Sequence, residues 1–304
     1  MKTPTILNNF LLRQAPAAVA PLPKVTRFDR EVTAELDTLG GAIGLTQWLD
    51  AAIATQKIAL DSLVKISYRD DSDHGVVDKY LEDNVEILDV CNYFVEIIEN
   101  IDNYVDTLKI VVHLVDSNCS PKPNKVAAKR ALEHLNSTSC QIVEKRSSKA
   151  LKNLLRQKLC HQETDMSEIM CGSKAVTLMC LRFLELGLSF DSKSVMLPKL
   201  KLSQPSSSSW LRLLNELAKQ VEASVDEKTP QENRSSLLQQ TVDAARELKE
   251  QMKREKEMKC CVERLKKKCK ELEDVVDVID ERVKDLYKCL IDVRMTLLGI
   301  LSQH

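Results

Sequence analysis

Val262, Leu265, Cys269, Leu272, Val276, Ile279, Val283, Leu286, Leu290, Val293, Leu297 and Ile300 follow one another at alternating steps of three and four. Every one is apolar. A mean spacing of 3.5 residues keeps one stripe of a helix turned toward a partner for about six heptads. At a rise of 1.5 Å per residue that stripe is about 58 Å long, so another element of similar length has to cover it. No other feature of the chain constrains its fold as strongly.

A second stripe of matching length lies earlier, through Val77, Leu81, Val85, Leu88, Cys91, Val95, Ile98, Ile101, Val105, Leu108, Val112 and Val115, with no Gly or Pro until Pro121. Two amphipathic rods of equal length are natural partners in an antiparallel bundle. Periodicity alone leaves open whether they meet within one chain or between chains. The flanks bear on this, because Val275, Tyr287, Cys289, Ile291, Leu298 and Leu301 widen the apolar face of the C-terminal half. A two-stranded zipper needs only a narrow seam, whereas a helix among several neighbours shows a broad face. With only 7 Gly and 4% aromatic residues, tight hairpins are poorly provided for. The expected fold is all-α: an elongated antiparallel helical bundle with long helices and a coiled-coil-like C-terminal helix.

The remaining segments sort around these rods. Residues 1–24 contain no acid and end in an Ala/Pro-rich run, which reads as a disordered tail. Ile6, Leu7, Phe10 and Leu11 give that leader an alternative as a short membrane-contacting or plastid-targeting helix. Residues 25–190 read as a helical bundle region. Within it Thr46 is a candidate N-cap, the charged run Arg69 to Asp73 a break, and Pro121-Lys122-Pro123 a turn. Met170 to Leu188 is the most apolar window, but Lys174, Arg182 and Glu185 make it a buried bundle helix and not a membrane span. Residues 191–209 read as a Ser/Pro-containing linker. Residues 210–304 form a helical hairpin whose long helix packs back on the bundle, with Thr229-Pro230-Gln231-Glu232 as its start and a polar lapse from Lys249 to Lys259.

The charge balance of 44 basic against 45 acidic residues argues against a general nucleic-acid binder and gives no bulk attraction to anionic membranes. Ten cysteines occur without a C-x-x-C pair or a secretory signal, so reduced thiols are expected and neither a disulfide framework nor a structural metal site. No phosphate-binding glycine loop, nucleophile elbow or zinc-type His-Glu signature is present, and the five His residues are scattered. The expectation is therefore a protein that is not an enzyme, with no catalytic residues, cofactor or metal. One surface stands out: Lys145, Arg146, Lys149, Lys152, Arg156 and Lys158 form the densest positive cluster ahead of the final helix. Its plain reading is a solvated face, and its functional reading an interaction surface for phosphate, acidic lipid or a partner.

The run Tyr80-Leu81-Glu82-Asp83-Asn84-Val85-Glu86-Ile87-Leu88-Asp89-Val90-Cys91-Asn92 resembles a tyrosine-leucine-aspartate, leucine-leucine-aspartate-valine-cysteine run of the plant BYPASS family. Gln47-Trp48-Leu49-Asp50 is similar to that family's early tryptophan helix, Lys174-Ala175-Val176-Thr177 to its middle segment, and Leu286 to Arg294 with Leu297 to Ser302 to its ending. The tryptophan expected just before the first run is missing from His74-Gly75-Val76-Val77, and the middle segment is less apolar than in many members. The resemblance implies an all-helical, non-catalytic regulator of plant growth, akin to proteins that restrain a root-derived mobile growth-arrest signal through protein contacts. Related members are linked to the exocyst and secretion, so a peripheral membrane scaffold is the alternative. A protein partner and a cytoplasmic location, with at most weak membrane contact, complete the expectation.

Overall fold

The computed structural model describes residues 25–40, 44–66, 68, 70–116, 125–141, 148–159, 164–188, 208–226, 236–254 and 258–303. The leader 1–24, the linker through residue 207, and Thr229 to Glu232 lie outside the described residues. Nine helices occur among them: α1 (Arg27–Asp37), α2 (Leu45–Leu63), α3 (Asp70–Asp116), α4 (Lys125–Gln141), α5 (Lys149–Arg156), α6 (Asp165–Gly187), α7 (Ser209–Asp226), α8 (Leu237–Lys253) and α9 (Lys259–Leu301). The fold is all-α.

Four of the shorter helices start as their sequences dictate. Thr26, Ser148, Thr164 and Ser236 each accept a hydrogen bond from the backbone N–H three residues on, at 3.0 to 3.2 Å, which satisfies an amide that the helix itself leaves unpaired. Thr46 does not cap α2. Gly44 takes that position, and its own N–H donates to the Gln47 side chain. The charged run before His74 is not a break either, since Asp70 to Asp73 form the first turn of α3 and Gly75 lies within the helix.

The two long helices form the spine. α3 spans 47 residues and α9 spans 43, about 70 and 65 Å. They pack antiparallel: Arg294 Nη1 donates to the Leu81 carbonyl at 2.7 Å, Asn84 Nδ2 to the Leu290 carbonyl at 3.3 Å, and Lys109 pairs with Glu273 farther along. Eleven of the twelve apolar residues of the α9 stripe are buried, all but Ile300. The stripe is covered within one chain.

At one end of the spine α2 and α6 complete a four-helix cross-section, in the ring order α3, α9, α2, α6. α2 runs parallel to α9, with Asp50 paired to Arg282, and antiparallel to α6, where Trp48 stacks on Phe183 at a centroid distance of 4.4 Å. At the other end α4 and α8 close a second cross-section against α3 and α9. α1 and α7 pack on each other beside the first cross-section, and α5 lies on α3 and α6.

The expectation of one final helix running from Thr229 is corrected. α8 ends at Lys253 and α9 begins at Lys259, and they fold back antiparallel, with Arg264 paired to Glu247 and the Lys268 carbonyl accepting from the Thr241 hydroxyl. The lapse in the apolar stripe marks this reversal: a segment this polar offers no continuous apolar stripe to carry the rod on. The broad flank on α9 also holds only in part. Tyr287, Cys289 and Leu301 pack against the core, while Val275 and Leu298 stay exposed. On α3, Val85 likewise faces outward.

Candidate functional site

The basic cluster nominated from sequence is divided by the structure. Lys145 and Arg146 lie outside the described residues. Lys149, Lys152 and Arg156 occupy the exposed side of α5, whose Leu151 and Leu154 are buried, and Lys158 is exposed just beyond the helix. Among the described residues none of these four cations makes an ion pair.

The groups that do converge are buried in the first cross-section. Lys174 on α6 and Asp83 on α3 are 6% and 3% exposed and form an ion pair at 2.5 Å, while the other Asp83 oxygen takes Lys79 at 3.2 Å. A lone buried charge would cost several kcal/mol; paired in this way it is tolerated. Beside the pair, Gln56 of α2 donates to the Thr177 hydroxyl at 2.8 Å and the Ser173 carbonyl at 3.3 Å, and the Tyr80 hydroxyl points at Gln56 Oε1 at 3.5 Å. Asn84 and Arg294 then tie α3 to α9 through backbone carbonyls. One polar layer thus crosses all four helices. Arg182 and Glu185, the other charges in the apolar window of α6, pair with each other.

The chemistry open to these groups follows from their burial. Burial raises the Tyr80 hydroxyl above its ordinary range, so it stays protonated and acts as a hydrogen-bonding group. Burial pushes the Cys91 and Cys269 thiols up to about 12 and Cys180 well above its usual value, which keeps thiolate scarce at neutral pH. Among the described residues no group of three His, Cys, Asp or Glu is placed to hold a metal ion, and no helix is long and apolar enough to cross a membrane.

A second polar link lies outside this layer. Asp29 of α1 is buried, and its Oδ1 accepts from the Ser209 and Trp210 amides at 2.8 and 3.0 Å, so an acid from α1 caps the N-terminus of α7. Glu168 accepts from the Ser208 hydroxyl at 3.3 Å, and its carboxyl is raised first by burial and then by the nearby Asp29 and Asp165 charges. Gly172 permits the close packing there: a Cβ at that position would sit 2.5 Å from Phe28 Cε1 and 3.3 Å from Trp210 Cε2.

The family profile described as Protein BPS1 matches residues 62–300, most of the chain. The chain belongs to the BPS1 family. Membership makes it a regulator of plant development, in line with the BYPASS resemblance. Neither the comparison with curated proteins nor that with solved structures returns a match. The matched range takes in α3 to α9 and leaves out α1 and most of α2, including Gln47 to Asp50.

Three of the segments that resemble the BYPASS family meet in the buried layer. Tyr80, Asp83 and Asn84 come from the first, Lys174 and Thr177 from the middle one, Leu290 and Arg294 from the ending. Sequence reading picked out each segment and missed their convergence. The available signal was Lys174 itself: a lysine in the most apolar window of the chain requires a buried acid somewhere, and Asp83 in the first motif supplies it.

Proposed function

We propose that this BPS1-family chain is a non-enzymatic helical adaptor that acts in plant growth and development through protein contacts, resembling proteins that restrain a root-derived mobile growth-arrest signal. The observation that carries the reading is the destination of the family-like segments. They are spent on a buried layer that locks four helices in register, which is what a rigid scaffold needs; an enzyme would place such residues around a solvent-reachable cavity. The buried thiols and tyrosine, held protonated, support the same view. Long helices with charged outer faces are the surfaces left to partners.

Affinity purification of the tagged full chain from plant tissue tests the reading. A stoichiometric protein partner is expected. Recovery of the chain alone, under conditions that retain known complexes, would overturn it.

A further inference from the structure

Residues 122–158 carry ten Lys and Arg against two Asp and Glu, in a chain whose totals are 44 and 45. α3, on which α4 and α5 lie, has the opposite composition, with thirteen acids and two lysines between Asp70 and Asp116. Oppositely charged helices in contact would be expected to pair across their seam. On α5 they do not: Lys149, Lys152, Arg156 and the following Lys158 are exposed, and none of the four makes an ion pair among the described residues. The three helical cations, at i, i+3 and i+7, fall within about 60° of the helix surface, opposite Leu151 and Leu154. α4 adds Lys129 and Arg130, both exposed and likewise unpaired among the described residues. In the basic run at the start of α9, by contrast, Arg264 is held by Glu247, and Lys267 and Lys268 by Glu271.

We propose that the outer face of α5 docks on a bilayer surface carrying anionic phospholipid. The inference goes beyond the adaptor reading and does not depend on it. Three of the four cations are lysines, the residue type depleted at protein interfaces, where arginine and aromatic anchors dominate. Residues 117–159 contain no Phe, Tyr or Trp on which unpaired bases could stack. Lysines spread over the open side of a helix act as point charges and need no pocket, which suits a plane of phosphate and carboxylate headgroups. With no described helix able to cross a bilayer, the contact is peripheral and electrostatic. It weakens as salt shortens the screening length.

The test is co-sedimentation of the purified full chain with phosphatidylcholine vesicles, with and without phosphatidylserine, at about 0.1 M salt. Binding is expected only with phosphatidylserine. At about fivefold per basic residue, K149Q/K152Q/R156Q should bind about a hundredfold more weakly, whereas R264Q/K267Q/K268Q, with the same change in net charge at cations already held by acids, should bind as the parent does. All three α5 side chains are exposed, so an unchanged thermal melt is expected, and the single variant K152E provides the same test should the triple variant melt early. The proposal is overturned by no binding to either vesicle, by equal binding to neutral vesicles, or by equal losses in the α5 and α9 variants. Capture on immobilised polyglutamate without vesicle binding would also overturn it, in favour of an acidic protein partner.

Discussion

Replacing Lys174 with Met keeps the unbranched side-chain stem but removes the charge, leaving Asp83 buried with one of its two lysines. Breaking a buried ion pair on one side costs about 3–5 kcal/mol. Here the lower end applies, because Lys79 still faces the other Asp83 oxygen at 3.2 Å with its own side chain 47% exposed. The expected loss is about 3 kcal/mol, roughly a 150-fold shift toward the unfolded state, which is a large share of the stability of an ordinary domain. The double variant Asp83→Leu with Lys174→Met replaces both charges with apolar groups and should recover most of that loss, since Lys79 keeps Glu82 at 3.3 Å. Urea unfolding followed by far-ultraviolet circular dichroism on the four members of this cycle gives the coupling directly. Single variants that cost under about 1 kcal/mol, or a double variant that costs the sum of the singles, would refute the reasoning that the pair is a buried interdependent unit.

Three further outcomes follow from particular contacts. Asp29→Ala removes the acceptor of two amides at the start of α7 and should cost about 1–3 kcal/mol, with a red shift in Trp210 emission as the first turn frays. Gly172→Ala forces a methyl against Phe28 and should destabilise by about 1–3 kcal/mol, whereas Gly75→Ala, with nothing within 4 Å of the added carbon, should stabilise α3 by about 0.5–1 kcal/mol; thermal melts of both separate crowding from helix propensity. Asp102 on α3 is raised first by burial and then by Asp277, Asp280, Asp106 and Glu273, with Lys109 and Lys284 nearby. A carboxyl raised in the folded state is more stable protonated there, so its ionised form lowers stability above its folded value, and that penalty fades as pH falls toward the unfolded value. Asp102→Asn should therefore raise the urea midpoint at pH 7, with a gain that shrinks as pH falls toward about 4 and is absent below it; a gain independent of pH would contradict it.

What the sequence made legible follows the range of each interaction. The α9 stripe could be read because a 3.5-residue period is a local property, and the residues it singled out are the buried ones in all but one case. The end of α8 was harder, since no Gly or Pro marks it; the chain reverses where apolar positions run out after Met252 and resume at Met258. The start of α3 was misplaced because Asp70 to Asp73 looks like a break, although acids in a first turn favour the helix N-terminus. Nothing in spacing relates Lys174 to Asp83, which are 91 residues apart, or Asp29 to Trp210, 181 apart. Such partners are chosen by the packing of helices, which no local period encodes. The exposed flanks at Val85, Val275 and Leu298 make the same point, because apolar character alone does not say where a neighbouring helix begins and ends.

The two long stripes cover each other within one chain. Lys109 and Glu273 pair across the α3 and α9 spine near the surface, where a carbodiimide can join them without added atoms. Cross-linking an equal mixture of ordinary and nitrogen-15-labelled protein, followed by mass spectrometry of the joined peptides, distinguishes closure within a chain from closure between chains. A Lys109 to Glu273 link found only between peptides of the same isotope is expected. Mixed-isotope pairs at that link would show that the stripes close between chains and would contradict this expectation.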